Sequence, residues 1–295
     1  MIFRALLCLI GLMVQANACE VRARAIVPFQ LAGNTILVPV EVNGIAGKFV
    51  LDTGAARTIV TPAAVDRFHL ALDEWTATTM RGVGGIERHR DADPRSFSMG
   101  GVALHRRSLA RDSTLRVATL PRNGTDGLLG RDFLSVFDVE LDPAARTLTL
   151  YDVHLCSGRF IPWSDGYVNV PAAILTDNAV ILPVEIEGIS LRAMLDTGAG
   201  LTMIAAPGMA RLGLGLDRLA TDPHEIVNGL GPHAVTMWRH RFAGLRVGSD
   251  AGADLTLLVA PVRLTPVTDL LLGADWILKR RLWISWSTGQ LFRDK

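Results

Sequence analysis

Two aspartates of this chain stand in the same local sequence. Phe49-Val50-Leu51-Asp52-Thr53-Gly54-Ala55 returns as Ala193-Met194-Leu195-Asp196-Thr197-Gly198-Ala199, at a spacing of 196 − 52 = 144 residues. A single Asp-Thr-Gly is a common turn, but two in equivalent settings place one carboxyl group in each half of a duplicated chain. Two carboxyls held at roughly 3 Å cannot both ionise, so one keeps a proton and acts as acid while the other acts as base. Such a pair titrates as a unit and can activate a water against a peptide carbonyl. The neighbouring residues suit that task. Gly54 and Gly198 let each loop turn tightly and bring its amide close to the carboxylate. The hydroxyls of Thr53 and Thr197, if buried, can bond across to the opposing loop and fix the separation.

The elements that must position these aspartates also come in pairs. Ile36 to Val42 alternates as a strand, Asn43-Gly44 is a hairpin turn signal, and Lys48 to Leu51 returns to Asp52. Val180 to Ile186, Glu187-Gly188 and the run into Asp196 repeat that order. Thr61-Pro62 opens a short helix with Thr as N-cap and Pro at the first position, and Ala206-Pro207 opens its counterpart. Gly82-Val83-Gly84-Gly85 and Gly229-Leu230-Gly231 form two glycine-rich tips between extended segments. About 75 residues after each Asp-Thr-Gly come Leu128-Leu129-Gly130 and Leu271-Leu272-Gly273. A repeat this long is a whole lobe and not a solenoid unit. The expected architecture is all-β and bilobal, two homologous barrel-like lobes each with one or two short helices. The boundaries read as 1–18 leader, 19–151 lobe one, 152–178 linker and 179–295 lobe two. The stretch from Arg88 to Arg116, rich in arginine but interrupted by Asp91, Asp93 and Asp112, reads as solvated strand faces and loops.

On these motifs the chain resembles the aspartic proteases, and the retroviral-type (retropepsin-like) group more than the pepsins, over roughly 35–150 and 179–292. The resemblance implies an endopeptidase with catalytic Asp52 and Asp196, formed within one chain where viral enzymes pair two. It implies that Leu128-Leu129-Gly130 and Leu271-Leu272-Gly273 pass behind the active loops and support them. The two glycine-rich tips become flaps over an extended peptide substrate, held largely by backbone hydrogen bonds. Two departures stand out. Neither Tyr151 nor Tyr167 lies in a tip, so the pepsin flap tyrosine is missing. The acidic residue that retroviral enzymes place just after Asp-Thr-Gly-Ala, paired with an arginine after the Leu-Gly segment, is replaced by Ala56 and Gly200. Arg131 remains in lobe one, while lobe two has Ala274. Ala55 and Ala199 also remove a hydroxyl that many pepsins use to favour the ionised dyad, which predicts a pair less acidic than pepsin's.

Composition sets the remaining bounds. The 295 residues are 49% hydrophobic and 20% charged, with a formal net charge of +1. That is a packed globular chain with no electrostatic footprint for nucleic acid. Arg4, the apolar run Ala5 to Val14 and Ala16-Asn17-Ala18 read as an export signal, too short to span a bilayer. Export to a periplasm or to the exterior would leave Cys19 and Cys156 as a pair able to form a disulfide. Lipid anchoring at Cys19 is the competing reading. No Cys/His spacing suggests a metal site and no cofactor is implied. A catalytically silent peptide-binding or envelope protein on the same scaffold is the alternative function, and lobes paired between chains the alternative assembly to a monomer with internal pseudo-twofold symmetry.

Overall fold

The computed structural model describes residues 18–103, 114–120, 124–265 and 267–295. The segment read as an export signal lies almost wholly outside them. The described residues are mostly strand, with five short helices, and no helix among them is long and apolar enough to cross a membrane.

Each lobe is built from the hairpin that leads to its aspartate. In lobe one Thr35–Val42 pairs antiparallel with Ile45–Leu51. In lobe two Val180–Ile186 pairs with Ile189–Leu195. Both turns need positive φ at two successive residues, Asn43 (51°) with Gly44 (78°), and Glu187 (51°) with Gly188 (82°). This is the geometry whose twist matches the flanking strands. Period-two alternation buries Ile36, Val38, Val40 and Val42 on one face, and Leu182, Val184 and Ile186 in the counterpart. The helix Pro62–Arg67 starts where Thr61 Oγ1 accepts from the Ala64 amide at 3.2 Å, and Ala206–Leu212 is its lobe-two equivalent, capped at its end by Gly213 with φ 63°.

The lobes share a six-stranded sheet. Its order is Glu20–Pro28, Thr147–His154, Asp138–Asp142, Leu282–Ser285, Gln290–Asp294, Tyr167–Val170. The three strands on one side repeat those on the other, and the lobes meet where Val139, Glu140 and Leu141 pair with Ile284, Trp283 and Leu282. Buried side chains of both lobes form one continuous core, including Phe49, Leu51, Phe133, Leu195, Leu272 and Ile284.

Two expectations are corrected. The 152–178 segment is a linker only in part, because Tyr167–Val170 pairs with Gln290–Asp294 and Ala173–Ile174 pairs with Val180–Ile186. Tyr167–Val170 is the lobe-two counterpart of Glu20–Pro28, displaced by the same 144-residue repeat, and it closes the free edge of the shared sheet. The arginine-rich stretch is not wholly solvated either: Arg116 and Asp91 form a buried ion pair at 2.8 Å. Asp91 there also accepts from Thr78 Oγ1 at 3.0 Å.

Candidate active site

Asp52 and Asp196 leave their strands at one place between the lobes. Each is delivered by a parallel strand pair: Gly127–Leu129 runs beside Ile45–Leu51, and Leu270–Leu272 beside Ile189–Leu195. The pairing is completed at the aspartates themselves. The Asp52 amide donates to Leu129 O and the Asp196 amide to Leu272 O, both at 3.0 Å. The two Leu-Leu-Gly segments therefore lie directly behind the loops. Gly130 and Gly273 sit so close to the loop backbone that a Cβ would strike Arg57 or Leu201.

The loops interlock through their threonines. Thr53 N–H donates to Thr197 Oγ1 at 2.9 Å, and Thr197 N–H to Thr53 Oγ1 at 3.1 Å. The hydroxyls pass the bond on, Thr53 Oγ1 to Leu195 O and Thr197 Oγ1 to Leu51 O, both at 2.8 Å. Both threonines are buried, so these bonds work in a low-dielectric setting where losing one partner is costly. A Cβ on Gly54 would collide with the Asp196 carboxyl, and one on Gly198 with the Asp52 carboxyl. Each carboxyl thus rests against the glycine of the opposite loop.

The electrostatics differ between the partners. Asp196 is 7% exposed while Asp52 is half-buried. Burial, then the neighbouring charge of Asp52, pushes the Asp196 carboxyl well above the usual carboxylate range. The Ala199 and Gly198 amides, donating to its Oδ1 at 3.1 and 2.9 Å, oppose this only in part. Asp52 Oδ1 accepts from the Ala55 amide at 2.8 Å. Ala55 and Ala199 thus supply backbone donors alone.

The glycine-rich tips meet above the loops. The hairpin Ala71–Gly82 with Gly85–Asp93 and the hairpin His224–Asn228 with Ala234–Val247 touch end to end. Gly84 N–H donates to Leu230 O at 2.8 Å, and His233 N–H to Gly84 O at 2.9 Å. Gly231, at φ 120°, is close enough to the Gly84 backbone that no side chain would fit. Each tip also crosses to the other lobe. Val83 packs against the apolar cluster that includes Met194, Met203, Met237 and Leu271, and Ala199 packs against the same cluster. Leu230 packs against the cluster that includes Val50, Ile59, Met80 and Leu128, as does Ala55.

Several residues near the site escaped sequence reasoning. Thr58 donates through Oγ1 to Asp132 Oδ1 at 2.7 Å and accepts from the Gly130 amide at 2.9 Å. Thr202 repeats this with Asp275 Oδ1 (2.7 Å) and the Gly273 amide (3.1 Å). The repeat itself held the signal, since 202 − 58 = 144 and 275 − 132 = 143. The two apolar clusters were legible in the same way, with Val50 matching Met194 and Ile59 matching Met203. Arg131 does not find an acid in its own loop. It donates to Gly54 O at 2.6 Å and pairs with Asp177 of lobe two at 2.7 Å. Cys19 and Cys156 are joined by a disulfide far from the loops in sequence and on the edge of the shared sheet.

Comparison with curated proteins finds no match. The profile of the aspartyl protease family matches twice, over residues 38–133 and 182–276, once in each lobe. With the duplicated fold already described, the chain belongs to the aspartyl protease family, in a retropepsin-like form that carries its two lobes in tandem.

Proposed function

We propose that the protein is an exported aspartic endopeptidase whose dyad is Asp52 and Asp196, active as a single chain. The carrying observation is the seating of each carboxyl against the glycine of the opposite loop, with Asp196 raised by burial and by Asp52. In the resting pair Asp196 holds the shared proton and Asp52 is the base. Water adds to the scissile carbonyl carbon as Asp52 takes its proton and Asp196 gives its own to the carbonyl oxygen. The tetrahedral diol then breaks its C–N bond: Asp52 returns its proton to the leaving nitrogen, and a diol hydroxyl returns one to Asp196. Thr53, Thr197, Gly54 and Gly198 hold the spacing, and Leu128 to Gly130 and Leu271 to Gly273 back the loops. The tips at 82–85 and 229–231 close over an extended peptide. The twin clusters beside Ala55 and Ala199 favour apolar residues on both sides of the cut.

Export rests on the sequence of the first 18 residues and fits a chain whose two remaining cysteines are bonded. The test is cleavage of an unfolded protein. Asp52→Asn and Asp196→Asn are each expected to lower the rate by about 10²–10⁴-fold, and a statine-type peptide to inhibit the parent. The parent should work at mildly acidic to near-neutral pH and lose activity as pH rises through the raised value of the pair. Either variant cleaving as fast as the parent, or a profile peaking below about pH 3 as for a pepsin-like dyad, would refute the reading.

A further inference from the structure

The acid missing from the lobe-one loop has been replaced from lobe two. We infer that Asp177 is a positioning residue of the dyad, acting through Arg131 to fix the lobe-one loop from lobe two; this rests on the aspartic endopeptidase reading above. Arg131 is 4% exposed in its side chain, whereas Asp177 is 54% exposed. The guanidinium spends its donors in two directions. Nη1 donates to Gly54 O at 2.6 Å and Thr53 O at 3.3 Å, while Nε donates to Asp177 O at 2.8 Å and Nη2 to Asp177 Oδ2 at 2.7 Å. A planar fork between two fixed acceptors transmits position, which a flexible ammonium would not.

Asp177 is itself anchored. Its turn is closed by Asn178 N–H to Leu175 O and Leu175 N–H to Ala179 O, both at 2.9 Å. Asn178 Nδ2 donates to Ser135 Oγ of lobe one at 3.0 Å, and Trp286 Nε1 to Asn178 O at 3.0 Å. Burial raises the Asp177 carboxyl, but the bond and charge of Arg131 outweigh it and keep it below the usual range, so it stays an anion where the dyad works. The carbonyls that Arg131 holds belong to residues with work to do. Thr53 donates to Thr197 Oγ1, and Gly54 abuts the Asp196 carboxyl. Displacing Asp177 therefore loosens the distance between the two carboxyls. Lobe two has Ala274 where lobe one has Arg131, and the side-chain bond that reaches its loop from lobe one here is neutral, Asn34 Nδ2 to Gly200 O at 2.9 Å. The clamp is reciprocal but charged on one side only.

Charged groups packed around the two loops include the two aspartates themselves, Arg131 with Asp177 and Arg57 with Asp132 behind the lobe-one loop, and Asp275 behind the lobe-two loop. Asp177→Ala is expected to lower kcat about ten- to a hundredfold with KM nearly unchanged. It should also move the basic limb of the kcat profile to lower pH, because a looser pair no longer raises Asp196 as far. Asp177→Asn, which still offers an oxygen to Arg131, should fall between. Arg131→Lys keeps the charge balance and loses the fork, and is expected to resemble Asp177→Ala; if it fails to fold, the Asp177 variants decide alone. An unchanged kcat, or a lower melting temperature with the basic limb unmoved, would overturn the assignment. A parent that cleaves nothing would refute the proteolytic reading instead. The clamp would then be read from carbon-13 titration of the Asp52 and Asp196 carboxyls, with coupling reduced in Asp177→Ala if it holds and identical in both if it does not.

Discussion

At the scale of single residues, Asp196 is where the proposed function and stability conflict. Its carboxyl is raised by burial and by Asp52, so the folded chain prefers it protonated. The unfolded group ionises near 3.9. A carboxyl whose native value lies above its unfolded one favours folding while both states are protonated. That contribution is lost as pH rises from the unfolded value through the native one. Asp196→Asn keeps an oxygen for the Gly198 and Ala199 amides and removes the charge. At about pH 9, above the range in which the native carboxyl titrates, it should raise the melting temperature by about 2–4 °C. At pH 3 the variant and parent should melt alike. Scanning calorimetry at the two pH values checks this, and a variant that melts lower than the parent at the higher pH contradicts the assigned burial. The same residue shows what sequence could reveal: the Asp-Thr-Gly repeat exposed both aspartates, whereas which of them is the more buried depends on packing that no local pattern encodes.

Among the elements, hairpins were the most legible, because turn chemistry and alternation act within a few residues. Asn43-Gly44 and Glu187-Gly188 turn through positive φ, and next to the turns the strands alternate buried and more exposed residues before every residue is buried near the aspartates. Illegible were contacts between distant stretches of chain with no local pattern, such as the tip of one hairpin on the other, Gly84 with Leu230. The strand Tyr167–Val170 was missed for a related reason. Four residues beside Pro and Gly carry too little pattern to identify a strand, and only its place at the sheet edge reveals it. The flap tips offer a test at this scale. Gly231 lies at φ 120° with no room for a Cβ against Gly84, so Gly231→Ala should separate the tips and break the Gly84 N–H to Leu230 O bond. Hydrogen exchange at the Gly84 amide should accelerate and KM should rise. Global melting should move by less than about 2 °C, because tips are drawn from the low-stability end of a fold. A protected Gly84 amide in the variant would show that the tips do not close on each other.

For the whole molecule, the shared sheet makes two lobes one cooperative unit. Glu140 is buried and bonded to both Tyr151 Oη of its own lobe and Arg281 of the other. Asp138 accepts from the Ser287 amide at 2.9 Å and from Ser285 Oγ across the junction. Breaking the lobes apart would strand these carboxylates and the crossed threonines, so both lobes are expected to unfold in a single transition. The Cys19–Cys156 disulfide spans 137 residues and closes nearly the whole of lobe one into a loop. It joins the ends of Glu20–Pro28 and Thr147–His154 where Glu20 pairs with His154. A crosslink over so long a loop restricts the unfolded chain strongly, by about 2–5 kcal/mol for bonds of this kind. The double variant Cys19→Ser, Cys156→Ser should therefore melt roughly 5–10 °C lower in one transition. On the proposed reading the Asp52–Asp196 pair is held by Thr53, Thr197 and the Leu-Leu-Gly strands and not by the sheet edge, so kcat at 25 °C should stay within about twofold of the parent. Two separate transitions would show that the lobes are not coupled through the sheet. A large loss of kcat in a fully folded variant would show that the edge strand reaches the loops that carry Asp52 and Asp196 after all.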